Sequence, residues 1–323
     1  MRTPLLFGAI SALTLAEIAA AEVPVVAVDI APVHALVATV MGGLGTPNLI
    51  VRPGASPHGY ALRPSEASAL QSADIVFWVS EGLTPWFEGS IEALAKNAKQ
   101  VELLETEGTT ELAFREGAAF DAHGHDDDDE HADEHEEEGH DDEDGHDDEH
   151  ADHGHDPHAW LDPENAQVWL DVIATDLAAL DPENAATYAA NATVGKAELA
   201  VLMAEINADL APFRDTNFVV FHDAYQYFEN RFDIAAAGAI TLGDATDPSP
   251  ARIAAIRDKV EALNVTCAFS EPQFNPGLIQ AVFQDMPTVT GVLDPLGSDL
   301  QLGPDLYPQL LRNLASSLGT CLK

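Results

Sequence analysis

The stretch PENAATYAANATVGKAELAVLMAEINADLA, residues 182–211, reads as one uninterrupted helix and divides the chain in two. Pro182 suits the first helical position, and Glu183 complements the positive helix start. Leu199, Leu202, Met203, Ile206 and Leu210 then recur at helical spacing. Asp181 is the expected N-cap. About thirty residues at 1.5 Å each would make a rod of roughly 45 Å. That is long for a globular helix and suits a connector between two lobes. The opening Leu180-Asp181-Pro182-Glu183-Asn184-Ala185 repeats Leu161-Asp162-Pro163-Glu164-Asn165-Ala166, which predicts another helix just before it. Shared capping chemistry explains the repetition without a domain repeat.

On either side of this helix the chain alternates short apolar runs with amphipathic stretches. Before it, Val23–Ile30, Asn48–Val51 and Ile75–Ser80 read as strands. Val33–Met41, closed by Gly42-Gly43, and Ser65–Ser72, capped by Ser65, read as helices. After it, strands are expected at Phe218–Phe221, Ala235–Leu242, Val265–Ser270 and Thr288–Leu293. Helices are expected at Ala224–Phe232, Ser249–Leu263, Pro276–Phe283 and Pro304–Leu318. Strands that are apolar throughout imply parallel sheets covered on both faces. The fold class is therefore α/β: two (β/α)-type lobes, 22–181 and 212–323, with parallel sheets joined by the long helix 182–211.

Residues 1–21 read as a signal peptide. Arg2 is a short positive n-region, Leu5–Leu15 is an apolar run too short to span a bilayer, and Ala19-Ala20-Ala21 is an A-x-A cleavage site. No later stretch reads as a transmembrane helix, so a soluble exported chain is expected, most simply in a bacterial periplasm. The chain's two cysteines, Cys267 and Cys321, fit one disulfide of an exported protein. Formal charge is −41, and a single acidic tract accounts for 20 of it. The remaining −21 argues against nucleic acid and anionic membrane surfaces.

That tract, 121–156, holds nine histidines and twenty carboxylates with no lysine or arginine. Its composition cannot build a core and predicts disorder, while imidazole among carboxylates predicts metal handling. Four histidines remain outside it: His34, His58, His158 and His222. His34 falls inside a predicted helix among Val33, Leu36 and Val37 and reads as a packing residue. His58 lies in the turn-rich Pro53–Gly59, His158 precedes a helix, and His222 ends an apolar strand. Loops at the carboxyl ends of parallel strands are where ligands bind in open α/β sheets. Three imidazoles with an open fourth position suit Zn²⁺, whereas manganese or magnesium wants more carboxylate oxygen. Glu271 and Asp294, each ending a predicted strand, are candidate oxygens, and Asp223 and Asp156 are candidates to orient imidazoles. There is no His-Glu-x-x-His, nucleotide-binding glycine fingerprint or Cys-x-x-Cys. A zinc hydrolase using Glu271 as base and a zinc chaperone without a membrane partner are the rival readings.

Five segments carry a family resemblance: Pro53-Gly-Ala-Ser-Pro-His-Gly-Tyr-Ala-Leu-Arg-Pro-Ser65, Asp156-Pro-His-Ala-Trp-Leu-Asp-Pro163, Phe221-His-Asp-Ala-Tyr225, Glu271-Pro-Gln-Phe274 and Leu293-Asp-Pro-Leu-Gly297. Together they resemble the cluster A-I substrate-binding proteins of metal ABC importers, and among these the ZnuA-type zinc components. The resemblance implies a non-enzymatic monomer that binds Zn²⁺ as cargo in the cleft between its lobes. The implied ligands are His58, His158 and His222, with a manganese- or iron-type binding protein as the nearest alternative. An inner-membrane ABC zinc permease is the implied partner, a periplasmic zinc chaperone a second one, and the tract an accessory zinc-collecting loop. A disulfide in the second lobe is common in the family, and Cys267 and Cys321 match it. Some members carry Glu immediately before the first histidine, where this chain has Pro57. The fourth metal position is then left to water, Asp294 or a tract histidine.

Overall fold

A computed structural model of the chain describes residues 22–115, 154–241, 249–274, 276–283 and 286–323. The predicted signal peptide, and the histidine tract from 121 to 153 with its expected disorder, lie outside the described residues.

The first half runs β1 (Val26–Val28), α1 (Ala31–Met41), β2 (Asn48–Leu49), α2 (Pro64–Gln71), β3 (Ile75–Trp78), α3 (Phe87–Leu94) and β4 (Lys99–Glu102). Its strands are all parallel, in the order β2-β1-β3-β4. Helices α4 (Pro163–Leu180) and α5 (Ala185–Leu210) follow. The second half runs β5 (Phe218–His222), α6 (Gln226–Phe232), β6 (Ala236–Thr241), α7 (Pro250–Ala262), β7 (Cys267–Ser270), α8 (Pro276–Phe283), β8 (Val289–Val292) and α9 (Leu306–Cys321). Its parallel order, β6-β5-β7-β8, repeats that of the first half. In each sheet the winding reverses beside the first strand, so a crevice opens at the carboxyl ends there.

The central strands are buried along their whole length, as their unbroken apolar runs require. Two elements had no clear signature in the sequence. Strand β4 reads Lys-Gln-Val-Glu and buries Val101 alone in its sheet-edge position, and α3 buries only Phe87 and Ile91. Polar edge strands are how sheets avoid pairing with strangers, and they lose the apolar signature in doing so.

Helix starts bring two corrections. Arg63, not Ser65, caps α2, and the Glu66 carboxylate three residues on accepts the Arg63 N–H at 2.8 Å. Asp162 caps α4 as expected, accepting the Glu164 N–H at 2.8 Å. Asp181 does not cap α5. It is fully buried, its carboxylate accepts from Asn184 Nδ2 and the Tyr188 hydroxyl, and the helix begins only at Ala185. The 26 residues of α5 still span about 39 Å. Tyr188, Ala192, Gly195, Leu199, Leu202, Ile206 and Leu210 form one buried stripe along it. Helix α5 packs against α1 and α4 of the first half and against α6 and α9 of the second. One apolar core consequently runs from Val28 and Val37 through α5 to Phe269 and Leu314. A disulfide joins Cys267 of β7 to Cys321 at the end of α9, with Cα atoms 5.9 Å apart.

Candidate metal centre

His222 is the last residue of β5, and β7 is its hydrogen-bonded neighbour. The chain leaving β7 therefore carries Glu271 to the same corner, where Glu271 Oε1 lies 2.7 Å from His222 Nδ1. Both side chains are buried. His158 stands before the short turn Ala159–Leu161 that leads into α4. Asp156 Oδ1 accepts its backbone N–H at 3.0 Å and lies 2.7 Å from its Nδ1. His58 reaches in from the loop after β2 and is half-buried. The Trp86 indole N–H fixes that loop by donating to the Pro57 carbonyl at 2.7 Å. Glu66 fixes it further by accepting from Arg52 at 2.6 Å and from the Tyr60 hydroxyl at 2.9 Å.

The three histidines named from sequence thus meet. Each offers a ring nitrogen within 4.8 Å of those of the other two. His158 Nε2 and His222 Nε2 are 3.2 Å apart. An ionised carboxylate accepts hydrogen bonds only, so Glu271 and Asp156 in that form favour the proton on the Nδ1 beside them and leave Nε2 as the ligating nitrogen. Burial pushes the Asp156 carboxyl up to about 7, against the opposing pull of the His158 N–H and the Arg115 charge. Three imidazoles with a position left over are a donor set that fits tetrahedral Zn²⁺.

Other candidates fall elsewhere. Asp223, expected to orient His222, instead pairs with Arg115, whose Nε donates to Asp223 Oδ1 at 3.0 Å and whose Nη1 donates to Glu229 at 2.7 Å. Burial disfavours the Arg115 charge, but Glu229 and Asp223 outweigh it and raise the guanidinium above its ordinary range. Asp294, a candidate oxygen ligand, turns into its own loop and accepts the N–H groups of Leu296, Gly297 and Ser298 at 3.1, 3.0 and 2.6 Å. His34 is buried in α1, where packing holds it as expected, and burial lowers its pKa. His155, from the end of the tract, pairs with Glu111 at 2.8 Å. Sequence reasoning named Glu271 as an oxygen ligand or base and missed its part in holding His222. The signal was the β5–β7 pairing, which no local pattern announces. Arg115 and Trp86 were missed for the same reason: their partners are distant in the chain.

The two halves close over the site through polar ties. The Tyr227 hydroxyl of α6 accepts the Leu112 N–H at 3.0 Å and donates to the Asp156 carbonyl at 2.9 Å. Trp160 Nε1 donates to the Pro295 carbonyl at 2.8 Å, and Arg231 grips Asp162 at 2.7 Å.

Comparison with known proteins shows the family and the fold. The family model described as "Zinc-uptake complex component A periplasmic" matches residues 26–321. The high-affinity zinc uptake system protein ZnuA of Brucella abortus (strain 2308) is 46% identical over 311 residues, covering 92% of this chain and 91% of the relative. Its counterpart from Paracoccus denitrificans is 43% identical over 310 residues, covering 96% and 95%. In fold, the chain is similar to the solved crystal structure of a ZnuA, with a TM-score of 0.72 over 94% of this chain and all of the other, at 24% identity. From a match that spans both sheets and the helix between them, the chain belongs to the ZnuA family of zinc-uptake complex components.

Proposed function

We propose that this chain captures Zn²⁺ in the periplasm and delivers it to an inner-membrane ABC permease, with His58, His158 and His222 as the residues that hold the ion. The observation that carries this reading is the convergence of three imidazoles between the two sheets, two of them backed by buried carboxylates. The zinc-uptake family and the names of the relatives support the same cargo. Zinc is ligand and not catalyst here, as suits a binding component that is not an enzyme. Among the described residues no helix is long and apolar enough to cross a membrane. Binding must weaken in acid, because an imidazole has to be neutral to ligate. The chain acts as a monomer, and the tract collects further zinc more weakly at the mouth of the site, with or without a periplasmic zinc chaperone upstream.

Zinc titration against a competing chelator tests the division of labour. One tight site is expected in the intact chain and in a deletion of 124–154, with the weaker sites lost in the deletion. Replacing His222 or His158 by alanine should abolish the tight site. Tight binding that survives both replacements would overturn the assignment.

A further inference from the structure

Gln273 lines the same small cavity as His58, His158 and His222. Its amide nitrogen donates to Asp294 Oδ1 at 3.2 Å and to the Ser298 hydroxyl at 3.1 Å. Asp294 is itself held in place, because its carboxylate accepts three successive backbone N–H groups of the 296–298 turn. A carboxylate can only accept, so it dictates which end of the Gln273 amide faces it. The amide oxygen is thereby turned away from Asp294. It is buried and has no hydrogen-bond partner among the described residues.

A buried acceptor without a donor is costly, and native structures rarely leave one so. Beside it, Asp156 and Glu271 lie 2.7 Å from the Nδ1 atoms of His158 and His222, which favours the tautomers whose Nε2 atoms can ligate a cation. A cation held in this cavity that brings its own water would supply the donor that Gln273 Oε1 lacks. Zinc on three imidazoles has a fourth position for water, and water on a cation is a strong hydrogen-bond donor.

We propose that Gln273 is a positioning residue for the fourth ligand: its Oε1 accepts a hydrogen bond from the water on Zn²⁺ held by His58, His158 and His222, and Asp294 sets the direction of the amide. This rests on the three-histidine reading above. Asp294 then acts on the metal through Gln273 and not as a ligand. A neutral amide holds the water without adding the charged oxygen ligand that manganese favours.

The test uses the intact chain, with Zn²⁺ affinity measured by chelator competition and the visible spectrum of the Co²⁺ form reporting coordination. Gln273→Leu should weaken Zn²⁺ binding roughly 10- to 100-fold, the usual effect of losing an outer hydrogen bond to a metal site, and should shift the Co²⁺ bands. Its metal-free thermal transition should stay cooperative. Should Gln273→Leu not fold, Asp294→Asn supplies the second variant. It keeps an acceptor for the turn but lets the Gln273 amide rotate, and a weaker affinity is again expected. Unchanged Zn²⁺ affinity and an unchanged Co²⁺ spectrum in folded Gln273→Leu would overturn the proposal. His222→Ala, measured alongside, separates the two failures: wild-type affinity in that variant would instead sink the three-histidine site itself.

Discussion

Glu271 and Asp156 each lie 2.7 Å from the Nδ1 of one imidazole, His222 and His158 in turn, and a carboxylate in that place favours the tautomer whose Nε2 is left to ligate. Sequence adjacency was a good guide for Asp156, two residues from its histidine. It misled for Asp223, which follows His222 directly but belongs to Arg115. The difference is measurable. Glu271→Gln should weaken zinc binding roughly 10- to 100-fold, as expected for an outer-shell partner of a ligating histidine. Asp223→Asn should cost much less affinity and act mainly on stability, through the part-buried Arg115 it leaves with one charged partner fewer. Chelator competition and thermal unfolding of the two variants check the ranking, and the reverse order would return Asp223 to the site.

Among the elements, α1 ends where Gly42-Gly43 said it should, and the structure supplies the reason. Gly42 adopts a left-handed conformation with φ 57° and donates its N–H back to the Ala38 carbonyl. A Cβ there would also lie 2.2 Å from Asn191 Nδ2 of α5, whose amide donates to the Val40 carbonyl at 3.0 Å. Gly42→Ala is expected to destabilise the chain by about 1–3 kcal/mol, from left-handed strain and the displaced Asn191 contact together. Urea unfolding measures this, and an unchanged midpoint would mean that neither effect operates. The two Leu-Asp-Pro-Glu-Asn-Ala openings make the opposite point. Identical residues start a helix at Pro163 but a turn at Pro182: Asp162 caps at the Glu164 N–H and meets Arg231, whereas Asp181 holds the turn through the Asn184 N–H and the Tyr188 hydroxyl.

Across the whole molecule, the two sheets share one apolar core through α5, and Trp160, Tyr227, Arg115 and Arg231 tie the halves across the site. Independent lobes on a hinge would lack these ties. One cooperative calorimetric transition is therefore expected for the chain lacking 124–154, with nearly superimposable small-angle scattering in the metal-free and zinc-loaded forms. Two resolved transitions, or a marked compaction on adding zinc, would show that the halves move as separate bodies.

Apolar strand runs, helix caps and the short roster of histidines outside the acidic tract are local signals, each written within a few residues. That is why the two α/β halves, the long helix and the trio His58, His158 and His222 could be read directly from the chain. Strand order and side-chain partners are different, because they arise when segments far apart in the chain bury their apolar faces against a common core. Only the placing of β7 beside β5 brings Glu271 to His222, and only the turn at Asp294 aims the Gln273 amide. Composition and spacing named the residues that could hold an ion. The packing of the two sheets about α5 decided which of them meet, and which buried carboxylate stands behind each of His158 and His222.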